Sequence, residues 1–369
     1  MKSKIISIMT IIIIVASAII LTPQITSNEK TIKIGSILIL TGEGASWGIA
    51  EKNGIDMAIE RINSEDGING KIIEVIHEND KSDPKESISA FRKLVDQDSV
   101  KFIIGTTWSH TGLPLVNMSD KNKIIMISPS LGMKEFNEGS DYLFNTWPHD
   151  YILSERLAEI VYNKGHRNVA VIGAQQVWVK DQTNAFTKKF KSLGGTIGLI
   201  FEPNTADRNL NTEALRIKEN KNVDALVFLT DGVQVGTIMA QKIKEIGIDL
   251  PSYSVTLSQD DITSSKSAYD STIFLTSLTP SSEFENEYKE KYGMDIEIGA
   301  DSAYDAVMML AQAMKETNST DTTTIANYMN SIKEYHGVSG SLISDGKGGF
   351  TKEYVAKLIV NGIPTAVEI

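Results

Sequence analysis

The residues most able to do chemistry in this sequence are spread along the chain and form no catalytic motif. Ser109 and His110 are neighbours, which suggests a hydrolase, but adjacent side chains rarely reach nucleophile–base geometry and no nucleophile-elbow pattern is present. The histidines show no pair at metal-ligand spacing. They are His77, His110, His149, His166 and His336. We therefore predict neither catalysis nor a metal site.

The tryptophans stand near the ends of predicted strands or at a predicted crossover between domains. They are Trp47, Trp108, Trp147 and Trp178. A single tryptophan is more often part of a hydrophobic core, but four at such positions favour the wall of a binding pocket. An aromatic wall suits an apolar or aromatic group, or a quaternary ammonium ion attracted to the faces of the rings.

Composition excludes several partners and chemistries. The formal net charge is −11 and no block rich in Lys or Arg occurs. We expect no nucleic-acid partner, because phosphate binding needs clustered positive charge. The chain has no cysteine, which removes disulfides, thiolate metal sites and a cysteine-linked lipid anchor. We expect no cofactor, and a fold stabilised by packing alone.

The N-terminal residues, 1–30, predict export. Lys2 and Lys4 precede an apolar run from Ile5 to Leu21, which is the layout of the charged and hydrophobic regions of a signal peptide. Small residues at 16–18 favour cleavage, but apolar residues follow at once, so an uncleaved membrane anchor at 5–21 is the alternative. In both cases we expect the rest of the chain in the periplasm or at the cell surface.

The pattern of the remaining chain predicts an α/β fold. Short apolar runs, the first at Ile32 to Leu40, alternate with segments of helical period, which is typical of β-α-β units and parallel sheets. The alternation restarts after an extended stretch at 142–149, and 369 residues are enough for two cores. Near the end, 345–349 predicts a hairpin turn between strands at 340–343 and 354–360.

A series of short motifs, each weak alone, resembles the Leu/Ile/Val-binding protein family of ABC transporter receptors when taken in order and spacing. The resemblance covers nearly all of the chain after residue 31. The motifs include Leu40-Thr41-Gly42 followed by Trp47-Gly48, Asp66-Gly67-Ile68-Asn69-Gly70, Asn79-Asp80 before Asp83-Pro84, Ile127-Ser128-Pro129, Tyr304-Asp305-Ala306-Val307 and Gly337-Val338-Ser339-Gly340.

The resemblance implies the type I periplasmic-binding fold, with two doubly wound, Rossmann-like parallel-sheet lobes joined by a three-crossover hinge. Residues 31–146 and 278–345 are then expected in lobe 1, and residues 147–277 and 346–369 in lobe 2. The implied protein is not an enzyme. It is a monomeric receptor that closes over a small-molecule solute and docks on the permease and ATPase subunits of an ABC importer. The same fold also serves in sensors that signal instead of transporting, and that alternative stays open.

Seven residues are predicted to contact the solute. They are Trp47, Trp108, Ser109, Ser130 and Gly132 of lobe 1, and Trp178 and Asp231 of lobe 2. The resemblance implies that Ser109 holds a ligand carboxylate, that the backbone at Ser130 meets the ligand, and that Trp47 and Trp178 touch it from opposite lobes. From the residues alone, Ser109 is also a candidate helix N-cap, and Ser130 a turn residue.

Two positions depart from the family and affect the expected ligand. Gly132 stands where the amino-acid receptors usually have a hydroxyl residue, and Leu257 where they often have an acidic one. Both changes remove a polar contact, so the sequence argues against an α-amino acid and we expect no binding of branched-chain amino acids. Asp231, after the predicted strand Asp224 to Leu229, is a candidate partner for a cationic group or a solvated loop residue. The ligand is predicted as a small polar or amphipathic solute, either an amino acid or a related compound, with an aromatic or a quaternary ammonium group as the alternatives that the tryptophans suggest.

Overall fold

A computed structural model describes residues 31–230 and 232–369 of the chain. The predicted signal or anchor segment, residues 1–30, and the candidate Asp231 lie outside the described residues. Within the described ranges, no helix combines the length and the apolar character needed to cross a membrane.

The described residues alternate strands and helices, as the sequence predicts. The strands are β1 Thr31–Leu38, β2 Ile72–Asn79, β3 Phe102–Gly105, β4 Ile125–Ser128, β5 Leu143–Asn145, β6 Asn168–Ile172, β7 Thr196–Phe201, β8 Ala225–Phe228, β9 Ser252–Val255, β10 Ile273–Thr276, β11 Glu334–Gly337, β12 Gly340–Ser344, β13 Phe350–Thr351, β14 Val355–Val360 and β15 Ile363–Val367. The helices are α1 Ala45–Ser64, α2 Pro84–Arg92, α3 Ser109–Gly112, α4 Val116–Asn122, α5 Asp150–Asn163, α6 Val177–Ser192, α7 Asn211–Glu219, α8 Gln234–Glu245, α9 Gln259–Ser264, α10 Ser282–Tyr292, α11 Ala300–Thr317 and α12 Thr322–Ser331.

The first lobe is built on a parallel sheet with the strand order β2-β1-β3-β4-β5. Strands β3 and β4 are buried along their whole length, because helices cover both faces of the sheet. The chain winds in opposite directions on either side of β1 and β3, so a crevice opens beyond the carboxyl ends of these two strands.

The second lobe is built on a sheet with the order β15-β14-β10-β9-β8-β6-β7. The strands from β6 to β10 are parallel, and β14 and β15 add an antiparallel edge. The corresponding change of direction lies between β6 and β8. Two parallel-sheet lobes confirm the predicted fold class.

A small antiparallel sheet, β11-β12-β13, corrects one sequence expectation. The turn at 345–349 is a hairpin turn, but its second strand is β13, whereas 355–360 pairs with β10 in the second lobe. Phe350 is buried with the core of the first lobe, so we place the third crossing between the lobes after Thr351, later than the expected boundary at 345. A short strand carries too little pattern to be read from sequence.

Candidate functional site

Six of the seven predicted contact residues meet at one cavity between the lobes. Trp47, Trp108, Ser109, Ser130 and Gly132 line it from the first lobe, beyond the carboxyl ends of β1, β3 and β4. Trp178 and one residue that the sequence did not indicate, Asp150, complete it from the second lobe. The cavity measures about 10 Å³, roughly the room that one water molecule needs, so a solute enters only if the lobes part or a ring turns.

Three indole rings form the aromatic wall and connect the lobes. Trp47 meets Trp108 edge to face, with ring centroids 6.0 Å apart and planes at 83°. Trp108 contacts Trp178 of the second lobe at 5.2 Å. Trp178 is the second residue of α6, so the ring extends from a rigid element. All three side chains are buried.

The Ser130 hydroxyl is directed away from the cavity and into a buried network around Glu51. Its oxygen contacts the Glu51 carboxyl, and it donates to the Thr107 carbonyl at 2.6 Å. The Thr107 hydroxyl donates to the other Glu51 oxygen at 2.6 Å. A serine has one proton to donate, so the network is complete only if Glu51 is protonated and donates to Ser130. Sequence analysis missed Glu51, although it lies on the apolar face of α1, one helical turn before Ile55.

Ser109 is the first residue of α3, and Trp108 occupies the N-cap position of this helix without a side-chain capping hydrogen bond. The N-cap interpretation of Ser109 is therefore wrong. The reason is local: Trp108 still has an extended backbone, and the helical turn starts one residue later. Ser109 itself is buried and borders the cavity, which leaves its role as a contact to the solute a prediction.

The space beside Gly132, where the family usually has a hydroxyl side chain, is filled by Asp150. A side-chain carbon at Gly132 would lie 1.8 Å from Oδ1 of Asp150, so the Asp150 carboxylate occupies the space that a hydroxyl side chain would take. The Asp150 backbone N–H also donates to the Gly132 carbonyl at 2.8 Å. Asp150 escaped notice because an acidic residue at a helix start usually only complements the helix dipole.

We predict that Gly132→Ser lowers the free energy of unfolding by about 1–3 kcal/mol, because the new side chain must displace a buried carboxylate. Denaturant unfolding measures the change. The double variant Gly132→Ser with Asp150→Ala is expected to recover most of the loss. A single variant as stable as the wild type would show that Asp150 does not fill this space.

Two acidic side chains at or beside the cavity, Glu51 and Asp150, are buried. Burial raises the pKa of the Glu51 carboxyl to about 8, against its hydrogen bonds with Ser130 and Thr107, which lower it. Burial, followed by the negative charge of Asp181, raises the pKa of Asp150 to about 8 as well. Both groups are therefore largely protonated at neutral pH in the closed protein.

The Glu51 carboxyl predicts a specific pH dependence of stability. Its pKa is higher folded than unfolded, so its contribution is present at low pH and is lost as the pH rises towards 8. We expect the wild type to lose roughly 1 kcal/mol per pH unit from this group between pH 5.5 and 8. Glu51→Gln keeps both hydrogen bonds without ionising, so its advantage over the wild type should grow with pH. If the difference in the free energy of unfolding between Glu51→Gln and the wild type is the same at every pH, the prediction is wrong.

The remaining candidates lie elsewhere. Trp147 is buried at the first crossing, with Lys352 Nζ 5.1 Å from its ring centroid. Leu257 joins the buried hydrophobic cluster around the tryptophans without lining the cavity. His110 stacks on Trp178 at 5.5 Å, and its Nε2 donates to the Ser82 carbonyl at 2.9 Å.

A serine, a histidine and an aspartate are aligned far from the cavity. Ser36 Oγ lies 2.7 Å from Nδ1 of His77, whose Nε2 lies 2.9 Å from Asp56 Oδ1. Ser36 is in the middle of β1 and completely buried, so no substrate reaches its hydroxyl. These bonds connect β1, β2 and α1. In the described ranges, no group of acidic or histidine side chains is arranged to hold a metal ion.

Two first-lobe carboxylates hold the lobes together at the rim of the cleft. Glu43 accepts a hydrogen bond from the backbone N–H of Gln234, the first residue of α8, at 3.1 Å. Glu297 accepts one from the backbone N–H of Gln259, the first residue of α9, at 3.0 Å. A carboxylate is favourable at a helix N-terminus, so the Glu43 contact stabilises the closed arrangement. Burial raises the pKa of Glu297 to about 7, so this carboxyl is only partly ionised at neutral pH.

An open groove of about 620 Å³ borders the tryptophans. It is lined by residues 42–46 of the first lobe and by residues of the second lobe that include Gly232 and Asp260. A side-chain carbon at Gly232 would lie 3.2 Å from the Trp108 ring and 3.3 Å from the Trp47 ring, so the two rings separate the groove from the cavity. Movement of either ring would connect the two spaces.

Comparison with known proteins gives consistent similarities. Residues 31–357 match the family model described as periplasmic binding protein. A Leu/Ile/Val-binding protein, BraC3, of Rhizobium johnstonii is 28% identical over 200 residues, which are 53% of this chain and 54% of that protein. The alignment thus spans about half the length of this relative.

Solved structures show the same fold. The substrate-binding protein LivJ of Streptococcus pneumoniae, in complex with isoleucine, has a TM-score of 0.83 and 24% identity over 91% of this chain and 98% of that one. A solute-binding protein of an ABC transporter from Rhodopseudomonas palustris, in complex with 3,4-dihydroxybenzoic acid, has a TM-score of 0.82 and 22% identity over 92% and 97%.

Proposed function

Because the chain belongs to the periplasmic binding protein family, in the Leu/Ile/Val-binding group of ABC transporter receptors, we propose that it captures a small solute outside the cytoplasm and delivers it to the permease and ATPase of an ABC importer. The family and the fold are those of solute-binding proteins. One observation carries the proposal: residues of both lobes enclose a single cavity beyond the carboxyl ends of the strands.

The position of the cavity explains how binding becomes a signal. A solute that touches Trp47 and Trp108 on one lobe and Trp178 on the other favours the closed form by its extra affinity for that form. The rim contacts of Glu43 and Glu297 exist only when the lobes are together. The closed surface is then what the permease recognises.

A thermal-shift screen of the purified full chain tests the proposal. Amino acids, amides, aromatic acids and betaines are the compounds to compare, since a ligand that binds only the folded state raises the melting temperature by mass action. We expect one class to raise it and to change the fluorescence of the three cavity tryptophans, and branched-chain amino acids to have no effect. If no compound of any class does so, solute capture is wrong.

The partner protein that responds to the loaded form distinguishes an importer receptor from a sensor. If the protein serves an importer, the loaded form should stimulate ATP hydrolysis by the permease–ATPase complex in a membrane vesicle. Ligand binding without such stimulation would favour the sensor.

A further inference from the structure

Within residues 31–230 and 232–369, the three cavity tryptophans contact one another and His110, and no lysine or arginine. Among the described residues, lysine and arginine side chains stack on other rings, and none stacks on Trp47, Trp108 or Trp178. None of the seven residues that line the cavity is basic. An anionic group of a solute would thus find no lysine or arginine on the wall, whereas a cation would find indole rings, of which Trp178 has one face covered by His110.

Asp150 supplies a negative partner at the same wall. The residue is 6% exposed, and Gln182 forms a hydrogen bond with its carboxyl group, but the Oδ2 atom has no hydrogen-bond partner among the described residues. A buried carboxylate oxygen without a donor is costly, which points to a donor or cation that arrives with the ligand. Its acidic neighbours, Asp181 on α6 and Glu135, raise the cost of ionising Asp150 and cannot pair with it.

Resting on the proposed function, we propose that the solute is a small organic cation, an ammonium ion carrying several alkyl groups. Trp47, Trp108 and Trp178 enclose its positive group, and the Asp150 carboxylate pairs with it. Methylated ammonium ions suit this wall because they are large, weakly hydrated and attracted to indole faces. The combination also agrees with the departures at Gly132 and Leu257, which are unlike an amino-acid receptor.

The proposal predicts that cation binding releases a proton. Burial holds the pKa of Asp150 near 8 in the closed protein, and the groups around it are Asp181, Gln182 and Glu135, with Lys134 and His149 facing Asp181. A cation selects the ionised carboxylate, so affinity should rise as the pH rises. We expect up to about tenfold tighter binding per pH unit between pH 6 and 8, and a plateau above it.

Calorimetry with choline, tetramethylammonium and 3,3-dimethylbutan-1-ol tests the charge requirement. The last compound is the neutral analogue of choline, with a carbon atom in place of the nitrogen. We expect choline to bind at least tenfold more tightly than the neutral analogue, and Asp150→Asn to lose both this preference and the pH dependence. Asp181→Asn is the matched control: it removes an acid that does not line the cavity, and it should retain choline binding.

The outcomes separate this inference from the proposed function. If leucine or 3,4-dihydroxybenzoate binds and neither choline nor tetramethylammonium does, the inference of a cationic solute is wrong and solute capture stands. Equal affinity for choline and its neutral analogue, or Asp150→Asn with unchanged choline binding and a native circular dichroism spectrum, also overturns the inference. If no compound of any class binds, both proposals fail.

Discussion

Replacing Lys352 by methionine is expected to lower the free energy of unfolding by about 3–5 kcal/mol, because it leaves a buried charge without its partner. Lys352 Nζ lies 3.0 Å from Asp301 Oδ2, and both side chains are completely shielded from solvent. The same ammonium donates to Ser302 Oγ at 3.0 Å. Lys352 lies at the third crossing between the lobes, so this pair fixes the hinge to the start of α11.

Denaturant unfolding with two further variants tests the buried pair. Lys347→Met removes the exposed contact to Glu138 and should change stability little, since side chains that are 60% and 37% exposed interact weakly. Adding Asp301→Asn to Lys352→Met should restore part of the loss, because the uncompensated charge is then gone. A Lys352→Met protein that unfolds like Lys347→Met would show that the ion pair contributes nothing.

Trp47→Ala and Trp178→Ala should each weaken solute binding at least about thirtyfold, and together abolish it. Large aromatic side chains that are buried at the centre of an interface carry most of its binding energy. These two rings line the cavity from opposite lobes, and Trp108 lies between them. The double variant also removes the ring contact between the lobes, so its closed form loses stability even without a solute.

Affinity is to be measured with the compound that stabilises the wild type in the thermal screen. Far-ultraviolet circular dichroism should show a native fold, because the sheets of both lobes are formed by other residues. Trp147→Phe changes the fourth tryptophan, which lies outside the cavity, and is expected to keep affinity within a few-fold. Unchanged affinity in Trp47→Ala and Trp178→Ala would remove the aromatic wall from the site.

Much of the secondary structure could be predicted from the local sequence pattern, because strands and helices depend largely on residues that are neighbours along the chain. Apolar runs of strand length were found as β1, β3 and β4, and the residues after them lie at the same cavity. Errors occurred where local signals were weak. The strand at 350–351 is too short to show a period, so the second strand of the hairpin was expected at 354–360 instead.

The sequence by itself determined the α/β fold with its two lobes, the family, and the approach of Trp47, Trp108 and Trp178 to one cleft. Only the tertiary structure placed Asp150 in the space beside Gly132, Glu51 beneath Ser130, and Lys352 against Asp301. The reason is physical. Periodicity reports which face of an element is buried, but the partner of a buried charge is chosen where segments far apart in the chain meet. At the cavity, Asp150 fills the space beside Gly132, so the site combines an aromatic wall with a buried carboxyl group.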